Sequence, residues 1–257
     1  MKTALITLSD EGARLLAPLT GRLPEARLFA HESVRDESIR CETVLHETAR
    51  QDSAPHEASR NDSGGLGSTR SDTELKAPAA ERFTKIADLT AMLFPVCRGL
   101  VYAAPCGVVV RAIAPLIKSK YEDPAVVVLD AGGRWAVSLL SGHEGGANDL
   151  AIRVANLTGA EPVVTTTTEA LKSVIVGIGC RRGTPAERIV ETVREALAEA
   201  GIALEEVRLL ASADVKADEA GLLEAAETLG IPSDSSPRKK YELLYVIFRI
   251  RILWPKR

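Results

Sequence analysis

Ala125-Val126-Val127-Val128-Leu129, Asp130-Ala131-Gly132-Gly133, Arg134-Trp135-Ala136-Val137-Ser138-Leu139-Leu140 and Ser141-Gly142-His143-Glu144-Gly145-Gly146-Ala147-Asn148 follow one another without a break. The first block is an uninterrupted apolar run after Asp123-Pro124, the pattern of a strand covered on both faces. Asp130 to Gly133 is turn chemistry, so this strand and the one from Arg134 to Leu140 are expected to pair as a hairpin. From Asn148 the apolar residues recur at the spacing of a buried helical face, which makes Ser141 to Ala147 a strand-to-helix turn.

That turn is the first place to look for chemistry. The leading N–H groups of a helix point outward, and glycines remove the side chains that would hold an anion away. His143 is the only histidine outside one polar segment, and imidazole exchanges protons near neutral pH. Tight glycine connections and hydrogen-bonded structural histidines use the same residues, so the pattern alone leaves both readings open.

Working toward the N-terminus, Gly99 to Ala103 reads as another buried strand, followed by a turn at Ala104-Pro105-Cys106-Gly107 and an apolar helix carrying Arg111. A lone arginine among apolar residues should reach solvent or meet an anion. Phe83, Ile86, Ala87, Thr90 and Leu93 form a helical stripe closed by Pro95. Residues 31–80 are polar, with Ser63-Gly64-Gly65-Leu66-Gly67-Ser68 at their centre, and read as a disordered insertion. His31, His46, His56 and Cys41 lie there at no ligand spacing, so no metal is expected. Before it, Lys2 to Leu8 reads as a strand, Ser9 as a helix N-cap with Asp10 and Glu11 in the first turn, and Ala26 to Phe29 as a second strand.

Toward the C-terminus, Gly159 ends the helix and Pro162 to Thr165 reads as a strand. Val174 to Gly179 is a further apolar strand leading to Cys180-Arg181-Arg182-Gly183-Thr184-Pro185-Ala186-Glu187. Thr184 as N-cap, Pro185 at the first helical position and Glu187 predict a capping box. Arg181 and Arg182 beside Gly177, Gly179 and Gly183 suit a carboxylate or phosphate, or else are solvated. The glycine spacing fits neither a dinucleotide fingerprint nor a P-loop. Cys180 has cationic neighbours but no base partner for a nucleophilic role.

The chain has 257 residues, 46% of them hydrophobic, enough for one substantial core or two small ones. A formal net charge of −3 indicates no nucleic-acid partner, and no apolar run predicts a membrane span. The four cysteines form no C-x-x-C pair, which points to a reducing cytoplasm without a disulfide framework.

Two blocks carry a family resemblance. Arg111-Ala112-Ile113-Ala114-Pro115-Leu116-Ile117-Lys118, Asp123 to Val128 and Leu139 to Asn148 resemble the N-terminal domain of the CbiG family, the cobalt-precorrin-5A hydrolases. Val176 to Thr184 and Ala211 to Leu222 resemble that family's C-terminal domain. The resemblance implies opening of the lactone of a cobalt-corrinoid precursor with loss of acetaldehyde, the cobalt arriving with the substrate and no cofactor of the protein's own. Placed on these positions, that chemistry assigns proton transfer to His143 and oxyanion donation to Ser141, Asn148 and the Gly145 and Gly146 amides. Arg111, Arg181 and Arg182 would hold substrate carboxylates. A non-catalytic tetrapyrrole carrier and an inactive relative are the alternatives.

The expected architecture is α/β, two small layered domains with mostly parallel sheets: residues 1–170 and 171–232, the variable middle domain of many family members being absent. Residues 233–257 depart from the family pattern and read as a divergent tail on a truncated domain. A terminal strand from Leu243 to Ile252 is the other reading, given its β-propensity.

Overall fold

The structure is a computed structural model that describes residues 2–39, 80–234 and 247–251. In chain order the elements are β1 (Thr3–Thr7), α1 (Asp10–Leu16), β2 (Ala26–His31), α2 (Asp36–Ile39), β3 (Glu81–Phe83), α3 (Ile86–Leu93), β4 (Gly99–Ala103) and α4 (Cys106–Ile113). They continue with β5 (Ala125–Leu129), β6 (Trp135–Leu140), α5 (Ala147–Thr158), β7 (Glu161–Val163) and α6 (Thr167–Ala170). The last are β8 (Val174–Gly179), α7 (Ala186–Ala200), β9 (Val207–Ala211), α8 (Ala220–Leu229), β10 (Ser233–Asp234) and β11 (Ile247–Arg251).

A seven-stranded sheet has the order β3-β2-β1-β4-β5-β6-β7. β1 to β5 are parallel, β6 reverses against β5, and β7 runs parallel to β6. Alternate residues of each central strand meet different helices. Leu5, Val101, Val127 and Leu129 pack with α1 and α5, whereas Ile6, Leu100, Tyr102, Val126 and Val128 pack with α3 and α4. Every residue of β1, β4 and β5 is buried, which explains why their sequences are apolar runs rather than alternations. On the α3 side the buried Tyr102 phenol shares a 3.0 Å bond with the Thr90 hydroxyl, and burial pushes its pKa up to about 12.

The second sheet, β10-β9-β8-β11, is parallel throughout, with α7 and α8 closing one core against Val174, Val176, Ile178, Val207 and Leu210. The α/β class and the mostly parallel sheets agree with the sequence reading. Ile247–Arg251 pairs with β8 as a strand, within the segment read as a divergent tail.

Three local expectations need correction. Phe83 lies in β3 and not in the following helix, its side chain buried beside Leu89 and Leu93. The first nine residues of the polar segment are ordered: His31 ends β2, and α2 is held by the Arg82–Asp36 ion pair and by buried Val34 and Ile39. Residues 40–79, with His46, His56 and Cys41, lie outside the described residues. Val108 to Ile113 is helical within α4, as read from the sequence. The capping box at Thr184 does not form, because the Thr184 hydroxyl donates to the Arg181 carbonyl at 2.8 Å and the N-cap position falls to Pro185. Ser9, by contrast, caps α1 as expected, accepting from the Gly12 amide at 3.1 Å. No helix among the described residues is long and apolar enough to cross a membrane.

Candidate functional site

The reversal at β6 decides where the glycine-rich loop lies. A strand antiparallel to β5 leaves the sheet at the edge where β5 enters, and β7, parallel to β6, leaves there too. Three segments distant in sequence therefore meet: Lys118–Asp123 before β5, Ser141–Gly146 after β6, and Thr165–Thr167 after β7. A Cβ built on Gly145 would lie 3.3 Å from the Asp123 carbonyl oxygen, and one on Gly142 would lie 3.1 Å from Thr166 Cγ2. This is the edge opposite the carboxyl ends of β1 and β4, where open parallel sheets usually bind ligands. At those ends Gly12 of α1 packs so closely on Thr7 and Ala103 that no side chain would fit between them.

Just before the loop, Val126 pairs with Leu140 and Val127 with Ser138, so Leu139 is an extra residue in β6. Such a bulge re-aims the residues that follow. Ser141 then adopts φ 59°, the left-handed region that a non-glycine residue enters only under constraint. The constraint is a ring of backbone bonds, Ala147 N–H to Ser141 O at 3.1 Å and Asn148 N–H to Gly142 O at 2.9 Å. Gly145 closes over Ser141 so tightly that a Cβ there would overlap the serine's own Cβ. Gly146, at φ 81°, is the N-cap of α5.

Within this ring the Ser141 hydroxyl is buried and has no hydrogen-bond partner among the described residues. The Gly145 and Gly146 amides find no acceptor among the described residues, and both sit at the positive end of a twelve-residue helix. His143 is exposed, and its ring makes no hydrogen bond among the described residues. Glu144 pairs with Lys120, Nζ to Oε1 at 2.6 Å; that hydrogen bond holds the Glu144 carboxyl below the usual range and raises the Lys120 ammonium.

The other predicted residues have different surroundings. Asn148 is buried, its Oδ1 accepting from Ser138 Oγ at 2.8 Å and its Nδ2 donating to Thr166 Oγ1 at 2.9 Å. It ties β6 to the segment after β7 beside the loop, and its amide is engaged within the protein. Arg111 is exposed in the last turn of α4 and donates to the Gly107 carbonyl at 2.9 Å. Arg182 is committed to the Asp218 carboxylate in a two-pronged pair at 3.0 and 3.1 Å and to the Val215 carbonyl at 3.0 Å. The loop's anion is the protein's own: buried Glu219 accepts from the Gly183 amide at 2.8 Å and pairs with Lys216 at 3.0 Å. Arg181 is exposed, and no bond from its guanidinium is recorded among the described residues. Burial pushes the Cys180 thiol up, against a nucleophilic role.

The two loops belong to different sheets, and the contacts between the sheets give their relation. Arg153 meets Glu227 at 2.6 Å; one turn further along α5, Asn156 donates to the Ile231 carbonyl at 3.2 Å and accepts from the Ser233 amide at 2.9 Å. Later residues of α5 thus meet later residues of α8 and its exit, so the helices advance in the same sense. The N-terminal turns of α5 and α8 therefore point toward the same end of the interface: the first follows the His143 loop, and the second is bonded to the Arg181 loop, which itself leads into α7, through Arg182–Asp218 and Gly183–Glu219. No hydrogen bond or ion pair joins the two loops among the described residues. A cavity of about 320 Å³ lined by Lys2, Arg27, Phe29, Leu93 and Cys97 lies elsewhere, between the start of β1 and β2 and the end of α3.

Lys120, Asp123, Ser138 and Thr166 were not singled out from sequence. Nothing in their spacing signals them; only the reversal of β6 brings them to the loop.

The family model described as Cobalamin synthesis G N-terminal matches residues 88–169, and the one described as Cobalamin synthesis G C-terminus matches residues 174–244. Together they take in more than half of the chain, in the family's order. The chain belongs to the CbiG family. The first match contains the whole Ser141–Asn148 ring and Lys120, and the second contains the Arg181 loop and extends to residue 244.

The chain is 45% identical over 83 residues to the cobalt-precorrin-5A hydrolase of Salmonella typhimurium, covering 32% of this chain and 24% of that protein. With the cobalt-precorrin-5A hydrolase of Priestia megaterium it shares 45% over 94 residues, 37% of this chain and 25% of the relative. Protein CobE of Sinorhizobium is 42% identical over 67 residues, 26% of this chain and 44% of that one. The chain thus aligns with about a quarter of the length of either hydrolase. A crystal structure of a cobalamin biosynthesis protein G homolog from Sulfolobus solfataricus overlays 92% of this chain and 80% of its own at 12% identity and a TM-score of 0.38, too loose a fit to build on.

Proposed function

We propose that this protein hydrolyses the lactone of cobalt-precorrin-5A, releasing acetaldehyde, in the cytoplasm. The observation that carries the reading is the ring from Ser141 to Asn148: two unpartnered glycine amides at a helix N-terminus, a buried hydroxyl without a partner, and an exposed imidazole, all within one short loop. Names and partial identities of the relatives support the substrate class.

In this reading His143 takes a proton from water as its oxygen adds to the lactone carbonyl. The developing oxyanion is met by the Gly145 and Gly146 amides, which are fixed before the reaction starts and cost no reorganisation. The acyl carbon–oxygen bond of the lactone then breaks and the ring opens, leaving a carboxylate and an alkoxide on the same molecule. As the alkoxide becomes a carbonyl, the adjoining carbon–carbon bond breaks, the macrocycle keeps the electron pair, and acetaldehyde departs. Cobalt enters with the substrate and belongs to it.

Incubating the protein with cobalt-precorrin-5A and coupling acetaldehyde to a dehydrogenase assay tests the proposal. His143→Ala is expected to lower kcat by about 10² or more, the usual contribution of a general base. Undiminished release from that variant removes His143 from the chemistry. One observation favours a second reading: among the described residues no neighbour hydrogen-bonds the His143 ring to fix its tautomer, as activated triads usually require. Spectral binding of the corrinoid without acetaldehyde would select a carrier.

A further inference from the structure

The segment before β5 is built as a second wall of this site. Buried Asp123 turns its carboxylate inward to accept from the Lys118 and Ser119 amides at 3.1 Å, and the Asp123 and Glu122 amides donate back to the Ser119 carbonyl at 2.9 and 3.1 Å. So pinned, the segment holds the Lys120 ammonium 2.6 Å from Glu144 of the loop and 4.9 Å from the centre of the Tyr121 ring. Tyr121 is 76% exposed and Ile117 45% exposed, an unusual amount of apolar surface left in water beside a cation.

We propose that Lys120 and Tyr121 form the recognition subsite of the Ser141–Gly146 loop, the ring taking the flat face of a corrinoid and the ammonium taking one of its side-chain carboxylates, with Glu144 holding Lys120 until substrate arrives. This rests on the hydrolase reading above and deepens it. An exposed ion pair contributes only about 0–1 kcal/mol, so a carboxylate delivered by stacking on Tyr121 displaces Glu144 at little cost. Lys118, exposed on the same segment, adds positive charge; Glu122 is an exposed acid of that segment, and exposed Asp149 lies in the first turn of α5, after the loop. The arrangement explains why the apolar and cationic groups sit together: a macrocycle with carboxylate arms offers both surfaces within a few ångströms.

The test is a spectral titration of the full chain with cobalt-precorrin-5A, and with a corrinoid whose side-chain carboxyls are amidated, alongside steady-state acetaldehyde release. Lys120→Ala is expected to raise Kd and KM for the carboxylate form about tenfold, change the amidated form little and leave kcat within about threefold. Lys120→Arg restores most of the loss. Tyr121→Ala weakens both ligands. Glu144→Gln, by removing the resident competitor, tightens the carboxylate form up to about fivefold. If wild type binds and turns over but Lys120→Ala and Glu144→Gln bind as wild type does, the subsite is wrong and the hydrolase reading stands. If wild type neither binds the precursor nor releases acetaldehyde, both fall together.

Discussion

Gly145 and Gly146 are adjacent, yet the structure uses them for different reasons. Gly145 has no room for a side chain, since an added Cβ would overlap Ser141 Cβ and lie 2.8 Å from the Ser141 carbonyl oxygen. Gly146 has open space but needs its φ of 81°. Gly145→Ala should therefore cost about 1–3 kcal/mol and deform the ring, whereas Gly146→Ala should cost about 1–2 kcal/mol from backbone strain alone. Urea melts of the two variants, read beside kcat, check the order; equal losses would mean that crowding is not what fixes Gly145. Ser141→Ala separates structure from chemistry. A buried hydroxyl with no partner contributes nothing to folding, so the variant should melt at or slightly above the wild-type temperature while losing activity. At this scale the sequence showed the loop clearly: three glycines, a serine and a histidine between a strand and a helix can be read as a possible anion site. It could not show that Asn148 is spent on Ser138 and Thr166, or that Arg182 is spent on Asp218, because those partners come from other elements.

Among the elements, the start of α8 shows how a predicted binding loop becomes a structural one. Burial pushes the Glu219 carboxyl up, but the Gly183 amide and the Lys216 ammonium together outweigh it, so its pKa lies below the usual value near 4.5. A carboxyl depressed in the folded state stabilises fully above its unfolded pKa and loses that contribution as pH falls through the folded one. Thermal unfolding followed from pH 7 to about pH 3 should show the wild-type midpoint falling below about pH 4.5, with a shallower fall in Glu219→Gln. Equal slopes would remove Glu219 from the acid transition. Elements buried on both faces, such as β4 and β5, were legible because burial leaves an apolar run that needs no partner to be recognised. Short elements tied by distant pairs, such as α2 with Arg82 and Arg35 with Asp10, leave no local periodicity to read.

For the whole molecule, the relation between the two sheets depends on few contacts. Asn156 reaches from α5 to the backbone of Ile231 and Ser233, and Arg153 reaches Glu227. Asn156→Ala should loosen this junction while leaving both cores intact. Hydrogen exchange should quicken at Ile231 to Ser233 and not in β4 or β5, whose amides open only with the first sheet. Uniform quickening would instead mean that the two sheets unfold as one unit. The division into two α/β layers was visible in the sequence, since apolar strands resume at Val174 after the threonine-rich stretch. Their mutual placement was not, because a polar residue such as Asn156 looks like any solvated helix position until its partner is seen.

The turn from Asp130 to Gly133 touches no residue of the candidate site, yet it sets the parity of everything beyond it. Its Asp130 carboxylate gathers the amides of Gly132, Arg134 and Trp135 at 3.1, 2.8 and 2.7 Å, which fixes the residue at which the returning strand begins. Removing one residue there would exchange the two faces of that strand, turn the Ser138 hydroxyl away from Asn148 and leave the glycine ring unanchored at the far edge. Substitution of exposed Ala131 should be borne easily, while a single insertion or deletion in the turn should abolish activity from a full strand's length away.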